Sequence, residues 1–290
     1  MRSRPSSRPS SWPNSPKKPY DERTSALVTV EDALRFALID QREARVLLAA
    51  ACGFSEASVV AYPERQLSDE TETRFRDFVQ RREKGEPVAY ILGHKEFYGL
   101  DLIVNPAVLI PRPETELLVD LALQRAFSSV VDLGTGSGAI ALAIKHQRPK
   151  ARVVAVEASA AALTVARRNA SRLNLDIEFR HGEWLNPLAG EQFDLIVANP
   201  PYVAEGDHHL GSLGFEPRGA LVAGPDGLDS IREIARDAPR YLVPGGWLLV
   251  EHGMGQHGAV RALLSRAGLD EVDSCPDLAR IPRVAGGKVK

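Results

Sequence analysis

The chain has 290 residues, 44% hydrophobic and 26% charged, with a formal net charge of −2, which suits a soluble protein with one large domain and a smaller one. A near-neutral balance argues against a protein whose main task is gripping nucleic-acid phosphates, and no apolar stretch approaches the roughly 18 residues that span a bilayer. Cys52 and Cys275 lie far apart and form no C-x-x-C pair, so they read as free thiols in a reducing cytosol, and a cytoplasmic location is expected.

Residues 1 to 20 hold six serines, five prolines, three arginines, two lysines and no acid. Such a segment has too little apolar surface to offset its ordering entropy, so residues 1–24 are expected to form a disordered tail. A targeting peptide can share this composition, but Pro5, Pro9, Pro13, Pro16 and Pro19 would break the amphipathic helix it needs. Residues 25–88 read as a small helical domain. Leu34, Ala37 and Leu38, then Val46, Leu47 and Ala50, then Phe75, Phe78 and Val79 recur at helical spacing. Ser68 to Glu72 supplies a cap candidate with acids in the first turn, and Gly85-Glu86-Pro87 ends the last helix. The Arg74, Arg76, Arg81, Arg82 and Lys84 cluster is either a docking face or a solvated face neutralised by acids such as Asp77 and Glu83.

Residues 89–110 read as a linker or β-hairpin around EFYGLDLIV. From residue 111 to 290 strands and helices alternate. Strands are expected at 129–133, 152–157, 177–180, 193–198 and 246–251, with helices at 114–126, 138–147, 159–172, 226–240 and 256–267. That alternation predicts an α/β domain with a mostly parallel sheet covered on both faces.

The stretch VVDLGTGSGAIALAI places Gly134, Thr135, Gly136, Ser137 and Gly138 between a strand and a helix. Glycines there permit a tight turn and let a ligand approach the positive end of a helix. The loop also satisfies the dinucleotide fingerprint through Gly134, Gly136 and Ala139, so by itself it does not separate a nicotinamide dehydrogenase from a nucleoside-binding methyltransferase. Glu157 ends the second strand, where a carboxylate either accepts from both ribose hydroxyls or caps the next helix. Trp184, after the third strand, is either a core residue or a flat surface for adenine.

The fourth strand stops at VANPPY, where two prolines end the ladder and fix a rigid tip. The Asn199 side-chain carbonyl and the Pro200 backbone carbonyl would then be two acceptors a few ångströms apart, suited to the two N–H bonds of a planar amino group. Tyr202 offers a ring face against that plane.

The motifs GEPVAYILG, LIPRPETELLV, DLGTGSGAIALAI, NPPY, FEPRGAL…GPDGL and EHG…Q occur in order from about residue 40 to 285. In that order they resemble those of the peptide-chain release factor glutamine N5-methyltransferases. The resemblance implies a class I, Rossmann-like methyltransferase fold whose sheet has seven strands, the last antiparallel, and a helical domain for substrate recognition. It implies S-adenosylmethionine as cofactor and, as partner and substrate, the glutamine of the Gly-Gly-Gln loop in class 1 release factors. Carried over by motif, Gly134, Thr135, Gly136, Ser137, Gly138, Glu157, Trp184 and Asn199 hold the cofactor. Asn199, Pro200, Pro201 and Tyr202 hold the amide, with Asn199, Pro200 and Tyr202 catalytic. Glu157 and Glu183 stand where relatives commonly carry aspartate, and PDLARIPRVAGG departs from the usual ending, which bears on the last hairpin.

The competing readings are an amino-group methyltransferase acting on adenine or guanine, a non-catalytic nucleoside-binding module, and a dehydrogenase. The first calls for a basic footprint, and neither of the others uses the tip. No metal is expected, because the seven histidines show no ligand spacing. Stable nucleic-acid binding and membrane association are not expected either, and the chain reads as a monomer.

Overall fold

The computed structural model describes residues 28–290, which fall into two compact units meeting at Glu83 and Lys84. The tail expected over residues 1–24 lies outside the described residues. The first unit holds helices α1 (Val30–Phe36), α2 (Gln41–Cys52), α3 (Glu56–Ala61) and α4 (Asp69–Glu83). Local chemistry sets their starts: Thr29 and Asp32 form a reciprocal capping box on α1, and the Asp40 carboxylate accepts from the first amides of α2. Gly53 then ends α2 in the left-handed conformation.

The buried stripe of α2 is Ala44, Leu47, Leu48 and Ala51, and the helices it contacts, α1, α3 and α4, bury Val30, Val59, Phe75 and Val79. Sequence spacing places Leu38 and Ala50 on such stripes, yet both are exposed, Leu38 at 79%. Helix α1 stops at Phe36, so Leu38 leaves the periodic pattern. Of the arginine cluster, Arg74 pairs with Glu70 and Arg76 with Glu72 along the helix, while Arg82 makes a bidentate bond to Glu43 of α2 at 2.7 and 3.1 Å. Glu43 is a partner that spacing alone does not reveal.

The second unit begins with a short helix α5 (Val88–Leu92) and a hairpin of β1 (His94–Phe97) and β2 (Leu100–Ile103). Tyr98 and Gly99 both have positive φ at its two-residue turn, which matches the strand twist. The main sheet comprises β3 (Ser129–Leu133), β4 (Arg152–Glu157), β5 (Glu178–His181), β6 (Phe193–Ala198), β7 (Leu242–Glu251), β8 (Asp270–Pro276) and β9 (Pro282–Lys288), in the order β5-β4-β3-β6-β7-β9-β8. Only β9 runs against its neighbours. The chain therefore forms the seven-stranded, mostly parallel α/β sheet that its motifs imply, terminal hairpin included.

Its helices are α6 (Glu116–Leu123), α7 (Ala139–Gln147), α8 (Ala160–Leu173), α9 (Asp229–Asp237) and α10 (His257–Arg266). Each lies inside or within a residue of the expected span. Strand β7 starts four residues earlier than expected, because residues 244–246 continue it through a register shift against β6. The central strands are apolar throughout because both faces are covered. Val130, Val153, Leu195 and Leu249 face α6 and α7 on one side. Val131, Val154, Ile196 and Leu248 face α9 and α10 on the other.

The crossovers reverse between β3 and β6, which pair in parallel with Leu133 opposite Ala198. Register alone thus sets the glycine loop after Leu133 beside the Asn199 tip after Ala198. A crevice at such a reversal is where ligands bind in open α/β sheets.

Candidate active site

The glycine loop is built by close approach. Gly134 has φ +70°, and a Cβ there would lie 3.2 Å from the Trp184 ring. Trp184 itself has φ 45°, a conformation that a bulky residue adopts only where its surroundings over-determine it. Beneath the loop, Thr135 donates its hydroxyl to Asp132 Oδ2 at 2.6 Å, and the Ala141 amide donates to the same oxygen at 3.2 Å. Asp132 is fully buried and its Oδ1 has no partner. Burial pushes its carboxyl up to about 7 against those two hydrogen bonds. Ser137 is buried as well, its carbonyl accepting from Asn169 Nδ2 at 2.9 Å. Asn169 also bonds both backbone groups of Ile103, so one buried amide ties α8 to the hairpin and the loop.

Glu157, at the end of β4, accepts from the Gly136 amide at 2.8 Å through Oε2 and from the Ser159 amide at 2.8 Å through Oε1. Each oxygen keeps a second lone pair, so the carboxylate is aimed by the backbone without being used up. Helix α8 is capped by Ser159 rather than by Glu157.

At the tip, Asn199 Nδ2 donates to Thr115 Oγ1 at 3.0 Å, while Asn199 Oδ1 is buried without a hydrogen-bond partner. Pro200 is buried, and among the described residues its carbonyl accepts no hydrogen bond. The chain beyond the tip is strapped down. Val203 exchanges backbone hydrogen bonds with Leu221 and Ala223. Gln256 donates to the Tyr202 carbonyl at 3.0 Å and to that of Asp226 at 3.3 Å, while accepting from the Gly253 amide at 2.8 Å. Gly227 passes so close that a Cβ would stand 2.3 Å from the Tyr202 carbonyl oxygen. The Tyr202 hydroxyl donates to Glu251 Oε1 at 3.2 Å.

Glu251 ends β7, is 1% exposed, and leaves Oε2 without a partner. Burial drives its carboxyl up to about 7, while the hydroxyls of Thr115 and Tyr202 and the charge of Arg283 pull the other way. Nearby, buried Glu216 accepts from the Ile110 amide at 3.0 Å and pairs with Arg112. That contact joins the IPRPETE stretch to FEPRGAL.

Two cavities meet at this crevice. The first, about 410 Å³, is lined by Gly134, Gly136, Glu157, Glu183, Trp184, Asn199 and Pro201, together with Val108 and Leu109. The second, about 400 Å³, is lined by Arg112, Asn199, Pro200, Tyr202, Glu251 and Arg283. Asn199 belongs to both. Thr135, Ser137 and Gly138 line neither, since they turn inward to build the loop. Thr115, Glu251, Gln256 and Asn169 are polar members of the site that sequence reading did not single out. The first three sit inside quoted motifs, where a Thr, Glu or Gln at the end of a helix or strand was the available signal. No group of three or more His, Cys, Asp or Glu residues that could hold a metal ion occurs among the described residues. No helix there is long and apolar enough to cross a membrane.

Residues 25–93 match the family model described as the PrmC N-terminal domain, and residues 113–212 match the methyltransferase small domain. A release factor glutamine methyltransferase of Xylella fastidiosa (strain Temecula1) is 49% identical over 86% of this chain and 94% of that protein. Its namesake from Burkholderia pseudomallei is 46% identical over 90% and 96%. Among solved structures, a T. Thermophilus 16S rRNA methyltransferase in complex with AdoMet and guanosine is similar with a TM-score of 0.52. It has 21% identity and covers 68% of this chain and 50% of that one, a likeness of fold.

Proposed function

The chain belongs to the release factor glutamine methyltransferase family, and on that premise we propose that it methylates the side-chain amide nitrogen of the Gly-Gly-Gln glutamine in class 1 peptide chain release factors. The methyl donor is S-adenosylmethionine, and the first cavity fits it. Gly134 leaves room that a Cβ would fill, and Glu157 offers two aimed lone pairs for hydroxyl donors. The glycine loop, Glu157 and Trp184 would hold it. When bound, it supplies an electrophilic methyl group on a sulfonium.

The observation that carries the reading is the buried, unpartnered Oδ1 of Asn199, a residue that lines both cavities. A buried acceptor without a donor costs free energy unless a ligand brings one. A primary amide does so, with two N–H bonds for Asn199 Oδ1 and the Pro200 carbonyl. An amide nitrogen is a poor nucleophile, because its lone pair is delocalised into the carbonyl. Acceptors fixed on its hydrogens therefore gain strength as the nitrogen becomes positive, and the rigid Pro200-Pro201 bend holds them without reorganisation. Tyr202, clamped at its carbonyl and at its hydroxyl, keeps its ring in the second cavity for the flat amide. The helical unit recognises the protein substrate, and the enzyme works as a cytoplasmic monomer without stable nucleic-acid binding, in keeping with its near-neutral charge.

The direct test incubates the enzyme with labelled methyl donor and a release factor, beside the same factor with its loop glutamine replaced. Label in the first and none in the second is expected. Label entering nucleic acid instead of protein would overturn the reading in favour of a base amino-group substrate.

A further inference from the structure

An asparagine amide has two faces. With Oδ1 toward the methyl acceptor it receives the substrate's N–H bonds; rotated by half a turn it would oppose them with its own. The tip's backbone does not choose between these states. Among the described residues, the only side-chain bond of Asn199 runs from Nδ2 to Thr115 Oγ1 at 3.0 Å. A threonine hydroxyl accepts or donates equally well, so Thr115 enforces the productive face only if its own proton is drawn elsewhere.

The group placed to draw it is Glu251. Its carboxylate is buried between Thr115 and Tyr202, lines the second cavity, and has one oxygen unsatisfied. Tyr202 already donates to the other oxygen. An ionised carboxylate has no proton to give, so the Thr115 hydrogen turns toward it and the Thr115 lone pairs face Asn199. A protonated Glu251 can donate, which frees the Thr115 hydrogen to swing toward Asn199 and admit the rotated amide.

Resting on the reading of Asn199 as the amide acceptor, we propose that Thr115 and Glu251 are positioning residues of the reaction. The Glu251 carboxylate orients the Thr115 hydroxyl, and Thr115 orients the Asn199 side chain with its oxygen toward the methyl acceptor. A pH dependence follows. The charged and titratable groups facing Glu251 are Arg283, which favours its charge, Glu114, which opposes it, and the Tyr202 phenol, itself pushed well above its usual value by burial and by Glu251. Arg112 adds a positive charge near Tyr202. The adjacent His252 is buried and held below its usual value. With burial lifting it to about 7, Glu251 changes state near neutrality.

The test measures methylation of a release factor by wild type, Thr115→Val, Thr115→Ser, Glu251→Gln and Asn199→Ala from about pH 5.5 to 9. Thr115→Val should lower kcat by about 10- to 100-fold with the KM for S-adenosylmethionine unchanged, and Thr115→Ser should recover to within about threefold of wild type. Wild-type kcat should fall on the acid side near pH 7, and Glu251→Gln should be impaired at every pH and lack that limb. Val at Thr115 within about twofold of wild type, or an acid limb of unchanged midpoint in Glu251→Gln, overturns the proposal. Should Thr115→Val fail to fold, the Thr115→Ser rate and the Glu251→Gln profile decide it alone. A dead Asn199→Ala beside a fully active Thr115→Val would sink this inference only, whereas an active Asn199→Ala would remove the reading beneath it.

Discussion

The two halves of the crevice hold a buried carboxyl each, and they use it in opposite ways. Beneath the glycine loop, Asp132 is enclosed, lines neither cavity, and gives one oxygen to the Thr135 hydroxyl and the Ala141 amide, its other oxygen closed off without a partner. At the tip, Glu251 lines the second cavity, takes the Tyr202 hydroxyl on one oxygen, and leaves the other without a partner beside Thr115. Burial raises both to about 7. The first carboxyl fixes a loop whose ligand-facing surface is backbone and glycine. The second stands behind an acceptor that is complete only when a substrate arrives. A donor-rich nucleoside can be met by a preformed cradle of backbone and glycine, while a weak amide nucleophile needs acceptors left unmet in advance.

Breaking the tip should have the largest effect. Asn199→Ala removes the unmet acceptor and leaves the two prolines in place, so kcat should drop by about 10²–10³ while cofactor affinity moves far less. Turnover above about a third of wild type would refute the contrast. Asn199→Asp keeps an oxygen but adds a charge to be desolvated, and it should be impaired too.

Damage to the loop half should appear in binding instead. Glu157→Ala removes an aimed charged acceptor worth about 1.5–3 kcal/mol, weakening S-adenosylmethionine by roughly ten- to a hundredfold in calorimetry. Unchanged affinity would take Glu157 out of the site. Gly134→Ala is the milder probe. It places a Cβ against Trp184 at positive φ, costing about 1–2 kcal/mol in a melt and some affinity, with kcat at saturation little changed.

The smallest effect concerns pH. Because burial raises the folded-state value of Asp132 to about 7, the folded protein holds this proton more tightly than the unfolded chain does. The resulting stability is fully present below the unfolded value of about 3.9 and is lost as pH rises through the folded one. Asp132→Asn should therefore flatten part of the decline in melting temperature between about pH 4 and 7. A variant curve parallel to wild type would show that Asp132 does not titrate in that window.

Much of this was legible in the chain. Parallel strands buried on both faces announce themselves as apolar runs, glycines mark a turn, and two prolines mark a strand end, because each follows from local backbone sterics and burial. Leu38 shows where periodicity misleads: a helix that ends at Phe36 strips a stripe residue of its face. Arg82 shows where charge spacing misleads, since its partner Glu43 lies on another helix.

Sequence by itself thus determined the α/β class, the positions of β3 to β7, and the chemistry available at the glycine loop and the tip. Only the tertiary structure decided which groups are used there. The pairing of Leu133 with Ala198 sets the loop beside the tip, and the closure of β7 next to β6 brings Glu251 to Tyr202. Thr115 and Asn199 stand 84 positions apart in the chain and 3.0 Å apart in space. Hydrogen-bond partners at such separations are fixed by strand order and register, which no local pattern of residues encodes.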